Sequence, residues 1–239
     1  MIMKQTDIVK ALKEGLMGCR WLPQQNRFHG IIEEVATKLL RGEFYPAVGD
    51  VFASSSILDE CPRLVVVATD PYPNERIATG IPFAVPDAYA DKIPCSLAIL
   101  KRILPVGNGF IGDWIKWARD ERVLLLNRSL TRFKGDRYAT FGVWDRFIEA
   151  ILNEIIRLNP LAVFWLMGNK AKDCKLFLPN KVEDRVVCSC HPSYVHYVEG
   201  NPCQCYQCFE AQWRKVRHLM QFCSNEKSVA HQKKRKVVA

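Results

Sequence analysis

Val65-Val66-Val67-Ala68-Thr69-Asp70-Pro71-Tyr72-Pro73 is the stretch whose reading decides the fold. Together with Leu64 it begins as a run of β-branched and small apolar residues. A strand covered on both faces shows such a continuous run instead of an apolar–polar alternation, so 64–68 reads as a buried parallel strand. The run stops at an acid, two prolines and a tyrosine. In open parallel sheets ligands bind just beyond the carboxyl ends of the strands, which makes Asp70 the first candidate for chemistry.

Other runs end in the same way. Val123-Leu124-Leu125-Leu126 is a second buried strand that ends in Asn127, and Leu161 to Met167 is a third that ends in Gly168-Asn169-Lys170. A shorter run around Val186-Val187 leads into Cys190-His191-Pro192-Ser193. Apolar residues at helical spacing predict helices over 4–18, 27–42, 142–158 and 209–222. Ser96 is the expected N-cap of a helix reaching Leu104, and 114–119 forms another. Alternating strands and helices predict an α/β fold with a central four-stranded parallel twisted sheet flanked by helices on both faces. Parallel strands would bring Asp70, Asn127, Gly168-Asn169 and His191 to one edge. With no internal repeat and no long linker, residues 1–223 are expected to form a single domain and 224–239 a basic, disordered tail.

The chain has 239 residues and a formal net charge of +9. A basic excess of this size points to a polyanionic partner such as nucleic acid. Part of it lies in His231-Gln232-Lys233-Lys234-Arg235-Lys236, a solvated tail with weak resemblance to a nuclear import signal. No stretch of about 18 uncharged apolar residues predicts a membrane span. Lys4, Asp7, Lys10, Lys13 and Glu14 break up any signal-peptide core. The expectation is therefore an intracellular monomer, cytoplasmic in a bacterium or virus and nuclear in a eukaryote. The ten cysteines read as reduced thiols.

The first strand is followed by no Gly-x-Gly-x-x-Gly and no Gly-x-x-x-x-Gly-Lys-Ser/Thr, so the phosphate cradle of a dinucleotide or NTP site is missing. A Gly-x-Ser-x-Gly nucleophile elbow is also lacking. An acid at a strand end with aromatics nearby suits chemistry on a planar ligand. Phe83 or Tyr72 can stack on a ring, and Asn127 can pair with its edge through one donor and one acceptor.

From about Phe28 to the last helix the chain resembles the uracil-DNA glycosylase family. Phe44-Tyr45-Pro46 through Asp50-Val51-Phe52 is similar to the family's Tyr-Pro-Pro-x-x-Asp-Val-Phe segment. Asp70-Pro71-Tyr72 matches the water-activating motif, and Pro73 resembles certain viral members. Gly80-Ile81-Pro82-Phe83-Ala84-Val85 resembles the loop with the stacking phenylalanine, and Ile93-Pro94-Cys95-Ser96 a reduced form of the loop that grips DNA phosphate. Leu124-Leu125-Leu126-Asn127 with Leu130-Thr131 matches the base-reading segment. Gly168-Asn169 stands at the backbone-pinching turn, and His191-Pro192-Ser193 matches the catalytic histidine loop.

The resemblance implies a monofunctional DNA glycosylase acting on single- or double-stranded DNA. The target nucleotide flips out of the stack, and its N-glycosidic bond is hydrolysed to leave an abasic site. Asp70 would stabilise the sugar cation and orient or deprotonate the water, while His191 would donate to the developing charge on the base. Thr69, Tyr72, Phe83 and Asn127 would bind the base. Pro94, Ser96, Gly168, Asn169, Lys170, Ser193, Tyr194 and Val195 would contact DNA, with Tyr194 or Val195 as the wedge. No lysine occupies a nucleophile position, so strand cleavage is not expected.

Departures from the pattern bear on substrate choice. Ala68-Thr69 replaces Gly-Gln before the acid, Arg128 is expected to add a cation beside the pocket, and Tyr194-Val195 replaces Pro-Leu in the wedge. Tyr72 is the family's wall against a 5-substituent. Were it reshaped by Thr69, Pro73 and Arg128, a 5-modified cytosine of phage DNA becomes an alternative substrate and antiviral defence an alternative role. An alternative of another class is a non-catalytic DNA-binding or replication-accessory module. No cofactor is expected; zinc or an iron–sulfur cluster at Cys203, Cys205 and Cys208 is the weaker alternative to reduced cysteines in a loop.

Overall fold

The computed structural model describes residues 3–135, 141–197 and 204–237, with side chains at all of these positions except 90–91 and 224–237. The sheet is the expected one. Strands β2 (Leu64–Ala68), β3 (Val123–Asn127), β5 (Val163–Met167) and β6 (Val186–Ser189) form one four-stranded parallel sheet in the order β3-β2-β5-β6. Every residue of β2, β3 and β5 is buried, as a sheet covered on both faces requires. Because β3 lies on one side of β2 and β5 on the other, the chain reverses its winding direction at β2. A crevice opens at the carboxyl end of such a switch-point strand.

Helices α1 (Gln5–Met17), α2 (His29–Leu39), α3 (Cys95–Ile103), α4 (Ile111–Glu121), α5 (Phe141–Leu158) and α7 (Gln204–Val237) surround the sheet, and a single turn, α6 (Asn169–Lys172), follows β5. Aromatic side chains make much of the seal. Trp165 of β5 stacks on Trp213 of α7 at 5.5 Å and lies 5.4 Å from Phe209, while Trp117 of α4 meets Trp213 edge-on. Elsewhere Trp144 and Phe147 of α5 pack against Phe52, and Phe147 against Phe28. Large fully buried rings of this kind each remove on the order of 150–250 Å² from water, which makes them the main packing contribution. Among the described residues no helix is long and apolar enough to cross a membrane.

Three local expectations change. The last helix, expected over 209–222, starts earlier and ends later, running from Gln204 to Val237, and its last described buried side chain is Cys223. Ser96 is not an N-cap: α3 begins at Cys95 with Pro94 before it, and Ser96 lies inside the helix, buried. A second, two-stranded sheet went unread. In it β1 (Phe44–Tyr45) pairs antiparallel with β4 (Arg132–Phe133), Tyr45 opposite Arg132. Two residues per strand are too few to show any period.

Candidate active site

The four parallel strands deliver their ends to one place. A pocket of about 110 Å³ is lined by Asp70, Tyr72, Phe83, Ser96, Asn127, Arg132 and His191, among others. Clefts that hold drug-sized ligands are roughly 300–1,000 Å³, so this one fits a single ring. It shares Asp70 and His191 with a wider groove of about 570 Å³, lined by Thr69, Gly168, Asn169, Lys170, Lys172, Cys190, Ser193 and Tyr194.

Asn127 is delivered by β3. The ladder runs on past its end, with Arg128 N donating to Ala68 O at 2.9 Å and Ser129 N to Thr69 O at 3.0 Å. Ser129 Oγ then donates to Thr131 O, and Trp144 Nε1 to Thr131 Oγ1, both at 2.8 Å. The segment is thereby fixed by backbone and buried side chains. Asn127 is 6% exposed, yet among the described residues its Oδ1 accepts no hydrogen bond. A buried polar atom left without a partner costs about 1–3 kcal/mol, so this acceptor is set for a ligand donor.

His191 is oriented just as tightly. Ser193 N donates to its Nδ1 at 3.2 Å, and Ser193 Oγ lies 2.8 Å from the same atom. With Nδ1 accepting, the proton of the neutral ring resides on Nε2, which is left as the donor. Burial pushes the His191 pKa down to about 4, so the ring is neutral at pH 7. The loop rests on Gly168, whose φ is +93° and whose hypothetical Cβ would lie 2.9 Å from His191 Cβ. A side chain there would meet the histidine loop.

Tyr72 and Phe83 form a linked wall. Tyr72 Oη lies 3.3 Å from both Phe83 O and Ser96 Oγ, donating to the carbonyl. Burial pushes the phenol up to about 12, which keeps it protonated. Phe83 has φ +66°, a left-handed conformation that non-glycine residues seldom adopt. It is held there by the Tyr72 bond and by stacking on Trp114 at 6.0 Å; the His191 ring is also 6.0 Å away. Strain of this kind, on the order of 1–3 kcal/mol, concentrates at functional sites.

Asp70 is about 16% exposed and accepts a 2.6 Å hydrogen bond from Arg132 Nη1 on its Oδ2. Burial raises the carboxyl pKa while the charge and hydrogen bond of Arg132 oppose the rise.

Several expected positions are corrected. Arg128 does not stand beside the pocket. It is 5% exposed, paired with Asp145 at 2.7 Å and set over the Phe177 ring; successive residues of an extended chain face opposite ways, so Asn127 and Arg128 diverge. Val195 cannot serve as a wedge because it is 5% exposed in the core, whereas Tyr194 is 75% exposed. Ser96 is covered and bonded to Tyr72, so its side chain is not presented to DNA, whereas Pro94 is half-buried before α3. Thr69 lines the groove and not the base pocket. Lys172 belongs to the groove and Arg132 to the pocket, and neither was read from the sequence. Cys203 lies outside the described residues. Among the described residues no group of three or more His, Cys, Asp or Glu side chains is placed to hold a metal ion.

This arrangement pairs a neutral imidazole donor and a buried amide acceptor with a carboxylate, around a ring-sized cavity opening on a basic groove. Comparison with known proteins gives it a family. The model of the uracil DNA glycosylase superfamily matches residues 56–217. A uracil-DNA glycosylase of Chlamydia felis is 34% identical over 175 residues, covering 71% of this chain and 75% of its own length. One of Streptococcus mutans is 32% identical, covering 64% and 70%. Among solved structures, the wild-type UNG of Nitratifractor salsuginis has a TM-score of 0.58 at 16% identity, covering 89% of this chain and 96% of that one. A mimivirus UNG variant in complex with UGI has a TM-score of 0.60 at 19% identity, covering 77% and 75%. These two share the fold. The match over residues 56–217, which spans all four strands of the parallel sheet and the histidine loop, makes the chain a member of the uracil-DNA glycosylase superfamily.

Proposed function

We propose that the 110 Å³ pocket excises uracil from DNA by hydrolysing the bond between the base and deoxyribose C1′. As a member of its family the chain is a DNA N-glycosylase, a hydrolase of N-glycosyl bonds. The observation that carries the choice of ligand is the buried Asn127 Oδ1, unpartnered among the described residues, in the same pocket as the His191 donor. A flipped uracil offers an N–H to that oxygen and a carbonyl oxygen to the histidine.

The C1′–N bond breaks and its electron pair leaves with the base. His191 Nε2–H hydrogen-bonds the base oxygen on which the charge grows, and a neutral donor suffices because it only has to stabilise the anion. Asp70 faces the electron-poor sugar, orients water toward C1′ and takes its proton as the new C–O bond forms. The products are free base and an abasic site. Phe83 stacks on the ring, and Tyr72, fixed at both Phe83 and Ser96, blocks a 5-substituent. That fixed wall supports uracil over thymine and over 5-modified cytosine. Lys170, Lys172, Asn169, Ser193 and Tyr194 are the groove residues that hold the strand and occupy the gap left by the flipped nucleotide.

The test is a set of oligonucleotides bearing uracil, thymine, 5-hydroxymethylcytosine or glucosylated 5-hydroxymethylcytosine, followed by alkali to cut abasic sites. Cleavage confined to uracil is expected. Cleavage of a 5-modified cytosine in its place overturns the reading of Tyr72, and binding without cleavage of any substrate overturns the assignment of Asp70 and His191.

A further inference from the structure

We propose that Arg132 is the positioning residue of the water-activating carboxylate, holding Asp70 in one orientation and as an anion within the ring-sized pocket. The proposal rests on Asp70 having the role given above. It starts from the 2.6 Å bond between Arg132 Nη1 and Asp70 Oδ2, both side chains about 16% exposed. A charge-assisted bond of this length is among the stronger ones. It engages one carboxylate oxygen; Oδ1 accepts no hydrogen bond among the described residues, which leaves it to meet water.

The position of Arg132 is itself fixed. It lies on β4 opposite Tyr45 of β1, and the next residues clamp the ladder: Lys134 N donates to Glu43 O at 2.7 Å, and Lys134 Nζ pairs with Glu43 at 3.0 Å and Glu75 at 3.3 Å. Upstream, Thr131 is tied to Trp144. The small sheet thus acts as a bracket that brings a guanidinium to the end of β2 from outside the main sheet.

The groups facing Asp70 leave this task to Arg132. His191, from the loop after β6, is neutral, and Tyr72, from Asp70's own loop, is a protonated phenol. Of the groove lysines on α6, Lys170 is turned toward Asp173 and the Phe141 ring, and Lys172 lines the groove that Asp70 also borders but forms no ion pair with it among the described residues. Arg132 is the one cation among the described residues within ion-pair distance of Asp70. Burial penalises the charged carboxylate, and a close opposite charge lowers a carboxyl pKa by roughly 1–3 units. Without Arg132 the base that must accept a proton from water would itself hold one over more of the pH range.

The experiment compares wild type with Arg132→Gln, which keeps much of the shape without the charge, and Arg132→Lys, which keeps the charge without the fork. Single-turnover excision of uracil is followed from pH 5 to 9, DNA affinity is measured in parallel, and the Asp70 carboxyl is titrated by ¹³C NMR in the free protein. Expected for Arg132→Gln are a rate at pH 7 about 10- to 100-fold lower, an acid limb moved to higher pH by roughly 1–3 units, and a carboxyl titration moved the same way. DNA affinity should stay within about twofold, and Arg132→Lys should restore part of the shift. A carboxyl titrating at the same pH in Arg132→Gln as in wild type overturns the proposal. So does a rise in Kd with an unmoved acid limb, which would make Arg132 a phosphate contact. If wild type excises no uracil, the function fails, but the carboxyl titration still decides what Arg132 does to Asp70. Should Arg132→Gln not fold, Arg132→Met, which also removes the charge, is read in the same way, and a carboxyl titration unmoved in it overturns the proposal.

Discussion

Asp70 and His191 stand between two cavities of unlike build. On one side is the ring-sized pocket, where every polar side chain named is tied to a partner or aimed at a ligand, and where Phe83 is held in a strained backbone. On the other is the open groove, about five times larger, with exposed Asn169, Lys170 and Tyr194. Preorganised dipoles in a water-poor cavity act on charge that develops in a transition state. Solvated lysines on a groove neutralise phosphates and respond to salt. The contrast predicts that substitutions on the pocket side alter the rate of bond breaking and those on the groove side alter binding, with the two shared residues belonging to the first class.

The sharpest way to break that division is at the shared residues. Asp70→Asn and His191→Ala should each lower single-turnover excision by about 10²- to 10⁴-fold, with DNA affinity changed little; parallel losses of rate and affinity would dissolve the distinction. Acidification probes the same histidine from the side of stability. Its pKa of about 4 in the folded protein lies below the 6.5 of an unfolded chain, so between these values the unfolded state binds the extra proton. Stability contributed by the neutral ring is present above pH 6.5 and is lost as pH falls toward 4, by up to roughly 3 kcal/mol. Chemical denaturation at pH 7 and pH 4.5 should show a smaller loss for His191→Gln than for wild type. An equal loss would mean that other groups dominate the acid response.

Gly168 lies where the two cavities meet. Gly168→Ala forces a Cβ into a positive-φ position 2.9 Å from His191 Cβ. The expected result is a destabilisation of about 1–3 kcal/mol, with a rate loss exceeding any loss of affinity because the histidine loop is displaced. A variant with wild-type kinetics would show that this turn does not position the ring. The smallest effects belong to the groove. Lys172→Ala should weaken DNA binding severalfold and lower the slope of log K against log salt by about 1, while leaving the single-turnover rate nearly intact. A rate effect without a salt effect would move Lys172 to the chemical side.

How much of this was legible in the sequence follows from the kind of constraint involved. Val65-Val66-Val67 and Leu124-Leu125-Leu126 announce buried strands because burial on both faces leaves no alternative composition, and their shared direction brings Asp70, Asn127 and His191 together. Side-chain direction just past a strand was less accessible. The ladder continues one step through Arg128 N to Ala68 O, so strand alternation still applies there and turns Arg128 into the core, toward Asp145 and Phe177. Tyr194 and Val195 diverge likewise, one outward and one inward. Arg132 carried no signal, since its role arises from pairing two short segments nearly ninety residues apart in sequence.

The bond from Tyr72 to the Phe83 carbonyl has a consequence for how this protein can diversify. In the function proposed above, the residue that would exclude bulky bases also helps hold the platform on which accepted bases would lie. A mutation that shortens Tyr72 to admit a larger pyrimidine removes a prop from the left-handed Phe83, so the first step toward a broader diet loosens the stacking surface for every base. New substrates are then reached through a generalist of low turnover, and recovery depends on a second change in the 79–85 loop. Lineages on this scaffold should acquire altered wall and platform residues in pairs.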